Sequence, residues 1–237
     1  MLRGWFVTGT DTGVGKTVLA GAVVAGARAL GIRATALKPV ITGLEEPASP
    51  DWPHDHELLA RAAGCSADEV ALVRYGPAVS PHLAAELAGH PIDAGRLERQ
   101  ILAAGDRVEL LVVEGVGGLL VPLGDGYDVR CLAGSLRLPL LVAARPGLGT
   151  INHTLLTLET ARAAGLEVTA VVLTPWPRSP SVIESSNRAT IESLGAVAVE
   201  VLPTVARADP DLLAVAARSL PLERWLSRWS ASDRAGE

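Results

Sequence analysis

Lysine is almost missing from this sequence, which has only Lys16 and Lys38 among 21 lysine and arginine residues. The two side-chain types are not equivalent, because lysine ends in a compact ammonium and arginine in a bulky planar guanidinium. A chain that uses arginine nearly everywhere has kept lysine at two positions. We therefore treat both lysines as candidates for a role that needs a point charge among anionic oxygens.

Basic clusters, paired cysteines and long apolar runs are missing as well. The net charge is −5 and no run of Lys or Arg exists, so we expect neither nucleic acid nor a membrane surface as a partner. Cys65 and Cys131 match no metal-ligand spacing, which predicts free thiols in a reducing compartment. The histidines share no ligand spacing either. No signal peptide is visible and no segment is apolar enough to span a membrane, so we expect a cytoplasmic protein.

Aliphatic sequence is abundant, and its pattern alternates between strands and helices. Hydrophobic residues make up 49% of the 237 residues, which is enough for the core of one α/β domain. Apolar runs without polar alternation are typical of parallel strands covered on both faces. Such runs lie at 4–8, 33–39, 108–115, 139–145, 167–175 and 196–203, and helical patterns lie at 16–30, 57–63, 94–104, 151–164, 182–194 and 210–229. We predict a single α/β domain over 1–237, with a mostly parallel sheet, helices on both faces and a flexible tail at 230–237.

The segment GTDTGVGKT (9–17) joins the first predicted strand to a helix that starts at Lys16. A strand, a glycine-rich turn and a helix are the context of a phosphate-binding loop, which predicts the P-loop NTPase fold. Lys16 would reach the β- and γ-phosphates, and the Thr17 hydroxyl would bind Mg²⁺. The spacing departs from the strict motif, because Thr10 stands where the first glycine is expected. The backbone N–H groups that would cradle the phosphates belong to Gly13, Val14, Gly15 and Lys16.

Three more charged residues are candidates for the same site. Lys38 ends the second predicted strand, at the edge where ligands of open α/β sheets bind, although an ordinary surface lysine is the alternative. Glu114 ends the strand VELLVVE, where a magnesium-binding acid beside a P-loop belongs, and the alternative is a plain strand-end charge. Asp55 starts a helical pattern and could be either a magnesium ligand or an N-cap. The segment GLGTINHTLLTLE (147–159) also follows a strand and is similar to a second anion cradle.

In combination, these segments resemble the ATP-dependent dethiobiotin synthetase family. The matches occur in the family's order: GTDTGVGKT, KPVITG, an Asp before LLARAAG, SPHLAAE, VEGVGGLLVP and GLGTINHTLLTLE. They cover nearly the whole chain and weaken after Pro203. The resemblance implies a biotin-pathway enzyme that converts 7,8-diaminononanoate, CO₂ and ATP to dethiobiotin, ADP and phosphate. One amine would capture CO₂ as a carbamate, the carbamate would attack the γ-phosphate, and the second amine would close the ring and expel phosphate.

The resemblance also implies roles for individual residues. Lys38 would contact the carbamate and the γ-phosphate, with Lys16 as the second catalytic cation, while Thr17, Asp55 and Glu114 would hold Mg²⁺. The substrate carboxylate would dock on helix N-terminal amides of the second subunit of a homodimer. The implied substrate-binding residues are Thr12, Thr42, Gly149, Thr150, Ile151 and Asn152. The implied nucleotide-binding residues are Gly13, Val14, Gly15, Lys16, Thr17, Val18, Asp55, Glu114, Gly115, Val116, Gly117, Thr174, Pro175, Pro203, Thr204 and Val205.

One position departs from the family's pattern. Members commonly carry Asn-Asp where this chain has Thr174 and Pro175, and that asparagine reads the adenine edge. A hydroxyl cannot replace the paired donor and acceptor of an amide. We therefore expect weak selection for ATP over other nucleoside triphosphates.

Three other functions compete with this interpretation. A regulatory ATPase of the MinD/ParA class would carry an extra lysine where Asp11 stands. An amidotransferase related to cobyrinic acid a,c-diamide synthase would need a glutaminase domain with a nucleophilic cysteine, for which 237 residues leave no room. A non-catalytic nucleotide-binding module would not need Lys38, Thr42 and Glu114 together.

Overall fold

A parallel β-sheet forms the centre of the protein, whose computed structural model describes residues 2–234, with side chains to residue 229. The strands are β1 (Gly4–Gly9), β2 (Ala34–Leu37), β3 (Val40–Ile41), β4 (Val73–Arg74), β5 (Leu110–Glu114), β6 (Pro122–Gly124), β7 (Tyr127–Asp128), β8 (Leu140–Ala144), β9 (Val168–Trp176) and β10 (Val199–Pro203). Six of them form the main sheet in the order β10-β9-β8-β1-β5-β2, with parallel pairing throughout. The strands β1, β5 and β8 are buried along their whole length, which explains their unbroken apolar sequence.

Helices cover both faces of this sheet. They are α1 (Lys16–Ala29), α2 (Asp55–Ala63), α3 (Ala67–Val70), α4 (Pro81–Ala88), α5 (Ala94–Gly105), α6 (Val129–Leu136), α7 (Thr150–Ala163), α8 (Val182–Gly195), α9 (Pro210–Ala217) and α10 (Leu222–Arg234). Leu19 of α1, Leu59 of α2 and Leu213 of α9 belong to the core on one face. Ile101 of α5 and Ile191 of α8 belong to the core on the other face. The predicted α/β fold with a mostly parallel sheet is confirmed.

The C-terminal helical prediction was wrong in one respect. The pattern at 210–229 is not one helix but two, because Pro221 separates α9 from α10 and a proline inside a helix removes a backbone hydrogen bond. Trp5 of β1 holds α10 against the sheet, with its ring centroid 4.7 Å from that of Trp229. The flexible tail predicted for 230–237 lies outside the described residues, apart from the helical backbone of α10 up to Arg234. The short helices α3, α4 and α6 were not predicted.

The carboxyl ends of the parallel strands meet at one edge of the sheet, and this edge carries the candidate site. β1 ends at Gly9, where the predicted phosphate loop begins, and Lys38 directly follows β2. Glu114 is the last residue of β5. Ligands of open parallel sheets bind at this edge, since the loops that follow the strands converge there. Among the described helices, none is both long enough and apolar enough to cross a bilayer.

Candidate functional site

The phosphate loop has the backbone conformation that an anion cradle requires. Gly13 and Gly15 have φ values of +69° and +91°, in the left-handed region that favours glycine. A Cβ atom at Gly15 would lie 2.7 Å from Cγ2 of Thr174, which is itself buried, so a larger residue has no space there. Helix α1 begins at Lys16 without a side-chain cap. Its first amide groups and the positive end of its dipole are therefore available to an anion.

Lys16 is buried at the start of α1 and faces the loop. Its Nζ donates a hydrogen bond to the backbone oxygen of Asp11 at 2.7 Å. Burial lowers the pKa of Lys16, and nearby Lys38 lowers it further, whereas Glu114 and Asp55 act in the opposite direction. The ammonium thus lacks full compensation inside the protein, and phosphate oxygens would supply it.

Lys38 forms ion pairs with two carboxylates at the same edge. Its Nζ lies 2.7 Å from Oε1 of Glu114 and also contacts Oδ2 of Asp55, although Lys38 is only 5% exposed. Burial alone would lower the pKa of Lys38, but Glu114 and Asp55 together raise it above its ordinary value. The lysine is therefore charged, and its charge is balanced by protein groups.

Glu114 is the most deeply buried acid of the site. It is 1% exposed, and its Oε1 accepts hydrogen bonds from Lys38 and from Oγ1 of Thr17, the latter at 2.9 Å. Its Oε2 has no hydrogen-bond partner among the described residues. Burial raises the pKa of Glu114, while Lys38 lowers it. A buried carboxylate oxygen without a partner is costly, and a cation would satisfy it.

Asp55 is the first residue of α2 and points into the same cluster. Burial raises the pKa of this carboxyl, but Lys38 and a hydrogen bond with Thr17 lower it below its ordinary value overall. The N-cap of α2 is His54, so the alternative role of Asp55 as the cap does not hold. Two carboxylates and the hydroxyl of Thr17 form the oxygen donor set that Mg²⁺ prefers. Within residues 2–229, no three His, Cys, Asp or Glu side chains converge on a metal position.

A cavity of about 700 Å³ contains this cluster and the phosphate loop. Twelve of the residues named from the sequence line it, and they are Thr12, Gly13, Gly15, Lys16, Thr17, Val18, Lys38, Thr42, Asp55, Glu114, Val116 and Gly117. Apolar side chains line the remaining wall, namely Trp52, Pro53, Leu58, Val79 and Val121. The cavity therefore combines a charged end with an apolar wall, which is the usual character of a small-molecule site.

The remaining residues named from the sequence lie elsewhere. Val14 is buried beside Gly9, and Gly115 faces the buried side chains of Phe6 and Val129. Thr174 borders the phosphate loop at Gly15, but the cavity does not include it. Also outside the cavity are Pro175, Pro203, Thr204, Val205, Gly149, Thr150, Ile151 and Asn152.

The second glycine-rich segment precedes α7 and resembles the first in its backbone. Gly149 has a φ of +88°, and α7 begins without a side-chain cap. The buried side-chain amide of Asn187 donates to the backbone oxygens of Pro146 and Gly147, both at 3.0 Å. Leu148, between these glycines, is 96% exposed. Asn187 therefore holds the loop on its buried side, while Leu148 of the loop is exposed to solvent.

Sequence reasoning missed three residues around the site. Arg145 donates to the backbone oxygens of Thr12 and Gly13, at 3.3 and 3.5 Å. Its position directly after β8, at the same edge, was the available signal. No sequence signal exists for Asn187, because its two partners are 41 and 40 residues away. Trp52 lines the cavity from the 45–54 loop, which the hydrogen bond between Asp51 O and Ala208 N, 2.8 Å long, holds in place.

Comparison with known proteins gives consistent results. A family model described as an AAA domain matches residues 3–209. An ATP-dependent dethiobiotin synthetase BioD from Mycobacterium avium is 42% identical over 204 residues, which are 85% of this chain and 87% of the relative. One from Haloferax mediterranei is 38% identical over 222 residues, or 93% of each protein.

Similar solved structures show the fold alone, since their sequence identity is low. A MinC:MinD cell division protein complex from Aquifex aeolicus matches with a TM-score of 0.56 and 13% identity, over 92% of this chain and 95% of that one. The cell division ATPase MinD from Pyrococcus furiosus matches with a TM-score of 0.50 and 19% identity, over 94% and 90% of the two chains.

Proposed function

Because this chain belongs to the ATP-dependent dethiobiotin synthetase family, we propose that the cavity at the carboxyl edge of its sheet is the active site. The enzyme closes diaminononanoate and CO₂ into dethiobiotin at the expense of ATP, in the biosynthesis of biotin. One observation carries the assignment of the site. Lys16, Lys38, Asp55 and Glu114 come from four separate segments and converge in one cavity with the phosphate loop.

In this site, the phosphate loop and Lys16 bind the triphosphate. The amides at the start of α1 would contact phosphate oxygens, and Lys16 would reach the β- and γ-phosphates. Thr17, Asp55 and Glu114 would hold Mg²⁺, whose positive charge would offset the negative charge of the phosphates. The unpartnered Oε2 of Glu114 supports this assignment. Selection for the base would come from Thr174, Pro175, Pro203, Thr204 and Val205, at the neighbouring ends of β9 and β10.

The reaction needs two anions to meet in line. The carbamate formed from one amine and CO₂ attacks the γ-phosphorus with its oxygen, and the bond to ADP breaks. The second amine then attacks the carbamic carbon, closes the ring and expels phosphate. Lys38 and Lys16 supply the positive charge that lets the anions approach, and Thr42 holds the substrate. Catalysis of this kind consists mainly of positioning and charge neutralisation.

A second copy of the chain would complete the substrate site. The amides of residues 149–152 do not line the cavity of their own chain, so the substrate carboxylate would reach those of a neighbouring subunit. Exposed apolar side chains occur in this segment and beside α7, since Leu148 is 96% exposed, and Leu156 (54%) and Leu120 (59%) line one cavity together. These features support a homodimer, as exposed apolar groups of this kind mark protein interfaces. A cytoplasmic location stays a prediction.

Two experiments test the proposed function. ADP release should require both diaminononanoate and bicarbonate, whereas a regulatory ATPase would release ADP without either. In Lys38→Arg, kcat should fall by about 10²-fold or more, the scale of removing one preorganised charged donor. The guanidinium keeps the charge next to the two carboxylates, but its bulky planar head cannot replace the compact ammonium of a side chain that is only 5% exposed. Normal turnover in this variant would refute the role of Lys38.

A further inference from the structure

Lys38 lines the cavity, but its ammonium is paired with the carboxylates of the ion site. Its ammonium binds Oε1 of Glu114 and Oδ2 of Asp55, two of the groups assigned to Mg²⁺. The contact with Glu114 is buried, since both side chains are at most 6% exposed. An ammonium and a divalent ion at the same carboxylates compete, because both are cations that need the same oxygen charge.

The charges of the cluster already balance without an added ion. With their ordinary charges, Lys16 and Lys38 contribute two positive charges and Asp55 and Glu114 two negative charges, and Lys38 forms ion pairs with both carboxylates. A divalent ion that entered alone would leave the buried cluster with an excess of positive charge. A triphosphate brings the missing negative charge, and it also offers Lys38 new oxygen partners. Ion and nucleotide should therefore favour each other's binding.

We propose that Lys38 is the internal counter-cation of the ion site, and that a divalent cation displaces its ammonium from Asp55 and Glu114. Without the ion, Lys38 positions the two carboxylates. With the ion bound, its ammonium turns toward the anions of the cavity. This step makes the catalytic cation available only when the ion has arrived. The inference rests on the proposed assignment of Thr17, Asp55 and Glu114 to the ion.

The test measures binding of Mn²⁺ alone, by electron paramagnetic resonance, to the full-length protein without nucleotide. Lys38→Gln removes the competing charge and should bind Mn²⁺ about tenfold more tightly or better, since a unit charge at close range has been lost. Lys38→Arg keeps the charge and should stay close to the wild-type affinity. Lys38→Met repeats the loss of charge in a side chain of similar length, so that one folded neutral variant is enough.

A second measurement follows thermal unfolding. Without Mn²⁺, Lys38→Gln should melt below the wild type, because Glu114 loses its buried partner. With Mn²⁺, its melting temperature should rise more than that of the wild type, because tighter binding to the folded state stabilises it further. Arg33→Gln is the control, because it removes a positive charge from an exposed ion pair with Glu109. It should change neither the melting temperature without Mn²⁺ nor the rise that Mn²⁺ causes.

The outcomes separate this inference from the proposed function. If Glu114→Gln does not weaken Mn²⁺ binding, the assignment of the ion ligands is wrong, and the inference fails with it. If Glu114→Gln weakens binding but the neutral Lys38 variants bind Mn²⁺ no more tightly than Lys38→Arg, only the counter-cation role of Lys38 is overturned.

Discussion

Two glycine-rich loops lie side by side at the carboxyl edge of the sheet, after the adjacent strands β1 and β8. Each leads into a helix without a side-chain cap, and each N-cap glycine is left-handed, with a φ of +91° at Gly15 and +88° at Gly149. Only the first loop is followed by a lysine and surrounded by charged side chains. The second leads into Thr150, Ile151 and Asn152, and no charged side chain stands in the first turn of its helix.

The helices behind the loops also differ in burial. Most of α1 is buried, with α2 and α9 packed against it, whereas only Thr150, Thr154, Leu158 and Ala161 of α7 are buried. The same backbone cradle can therefore serve two purposes. We interpret the first as a site for a polyanion, where lysines and an ion balance the charge. The second suits a single carboxylate on a surface that another copy of the chain can cover.

The largest expected effect is that of replacing Lys16, the lysine that distinguishes the first loop from the second. Lys16→Met deprives the phosphate loop of its charge, and kcat/KM for ATP should fall by about 10³-fold. Steady-state kinetics with varied ATP measures this loss. An activity within tenfold of the wild type would show that the backbone amides alone, as in the second loop, are sufficient.

The same substitution should not destabilise the protein. Burial lowers the pKa of Lys16 below 10.5, so between the two pKa values the folded state binds fewer protons than the unfolded state. The cost of the buried charge is thus present at neutral pH and disappears as pH rises through the lowered pKa toward 10.5. Lys16→Met should melt above the wild type at pH 7, and the difference should shrink at alkaline pH. Thermal melts from pH 7 to alkaline pH measure this difference. A Lys16→Met variant less stable than the wild type at pH 7 would show that the buried charge of Lys16 does not destabilise the protein.

Sequence reasoning found the first loop more completely than its surroundings. Unbroken apolar runs identified the buried strands, and the glycine spacing identified the loop, because both depend on local sequence. The pairing of Lys38 with Asp55 was not predictable, since it spans 17 residues and depends on how α2 packs. The prediction that Lys38 contacts substrate anions did not include its pairing with Asp55 and Glu114, for the same reason. The break at Pro221 was missed because apolar residues continue on both sides of it.

Alanine substitutions at the two N-cap glycines should impair the binding of different substrates. In Gly15→Ala, the new Cβ would meet Thr174 at 2.7 Å, so kcat/KM for ATP should fall by about 10²-fold or more. At Gly149 no atom lies within 4 Å of the new Cβ, and only the left-handed conformation costs free energy, about 1–2 kcal/mol. Gly149→Ala should therefore raise KM for diaminononanoate about tenfold and leave KM for ATP unchanged.

Kinetics with each substrate varied in turn separates the two glycine variants. Melting temperatures serve as the control, because both substitutions introduce alanine at a positive φ. If Gly149→Ala impairs ATP and diaminononanoate equally, the second loop does not bind the substrate carboxylate, and its likeness to the phosphate loop is a likeness of backbone only.

The smallest effect concerns the base, which neither loop reads. Backbone amides, lysines and an ion recognise phosphates, and these are the same in every nucleoside triphosphate. Thr174 is buried against Gly15, and its hydroxyl cannot offer the paired donor and acceptor that an amide offers to adenine. We therefore expect the KM values for ATP, CTP and GTP to differ by less than about tenfold, because the paired contact that would supply about 1–3 kcal/mol of discrimination is missing. Steady-state assays of dethiobiotin formation with each triphosphate measure the difference. A preference for ATP well above tenfold would mean that residues near Pro203 to Val205 read the base through contacts that the sequence does not reveal.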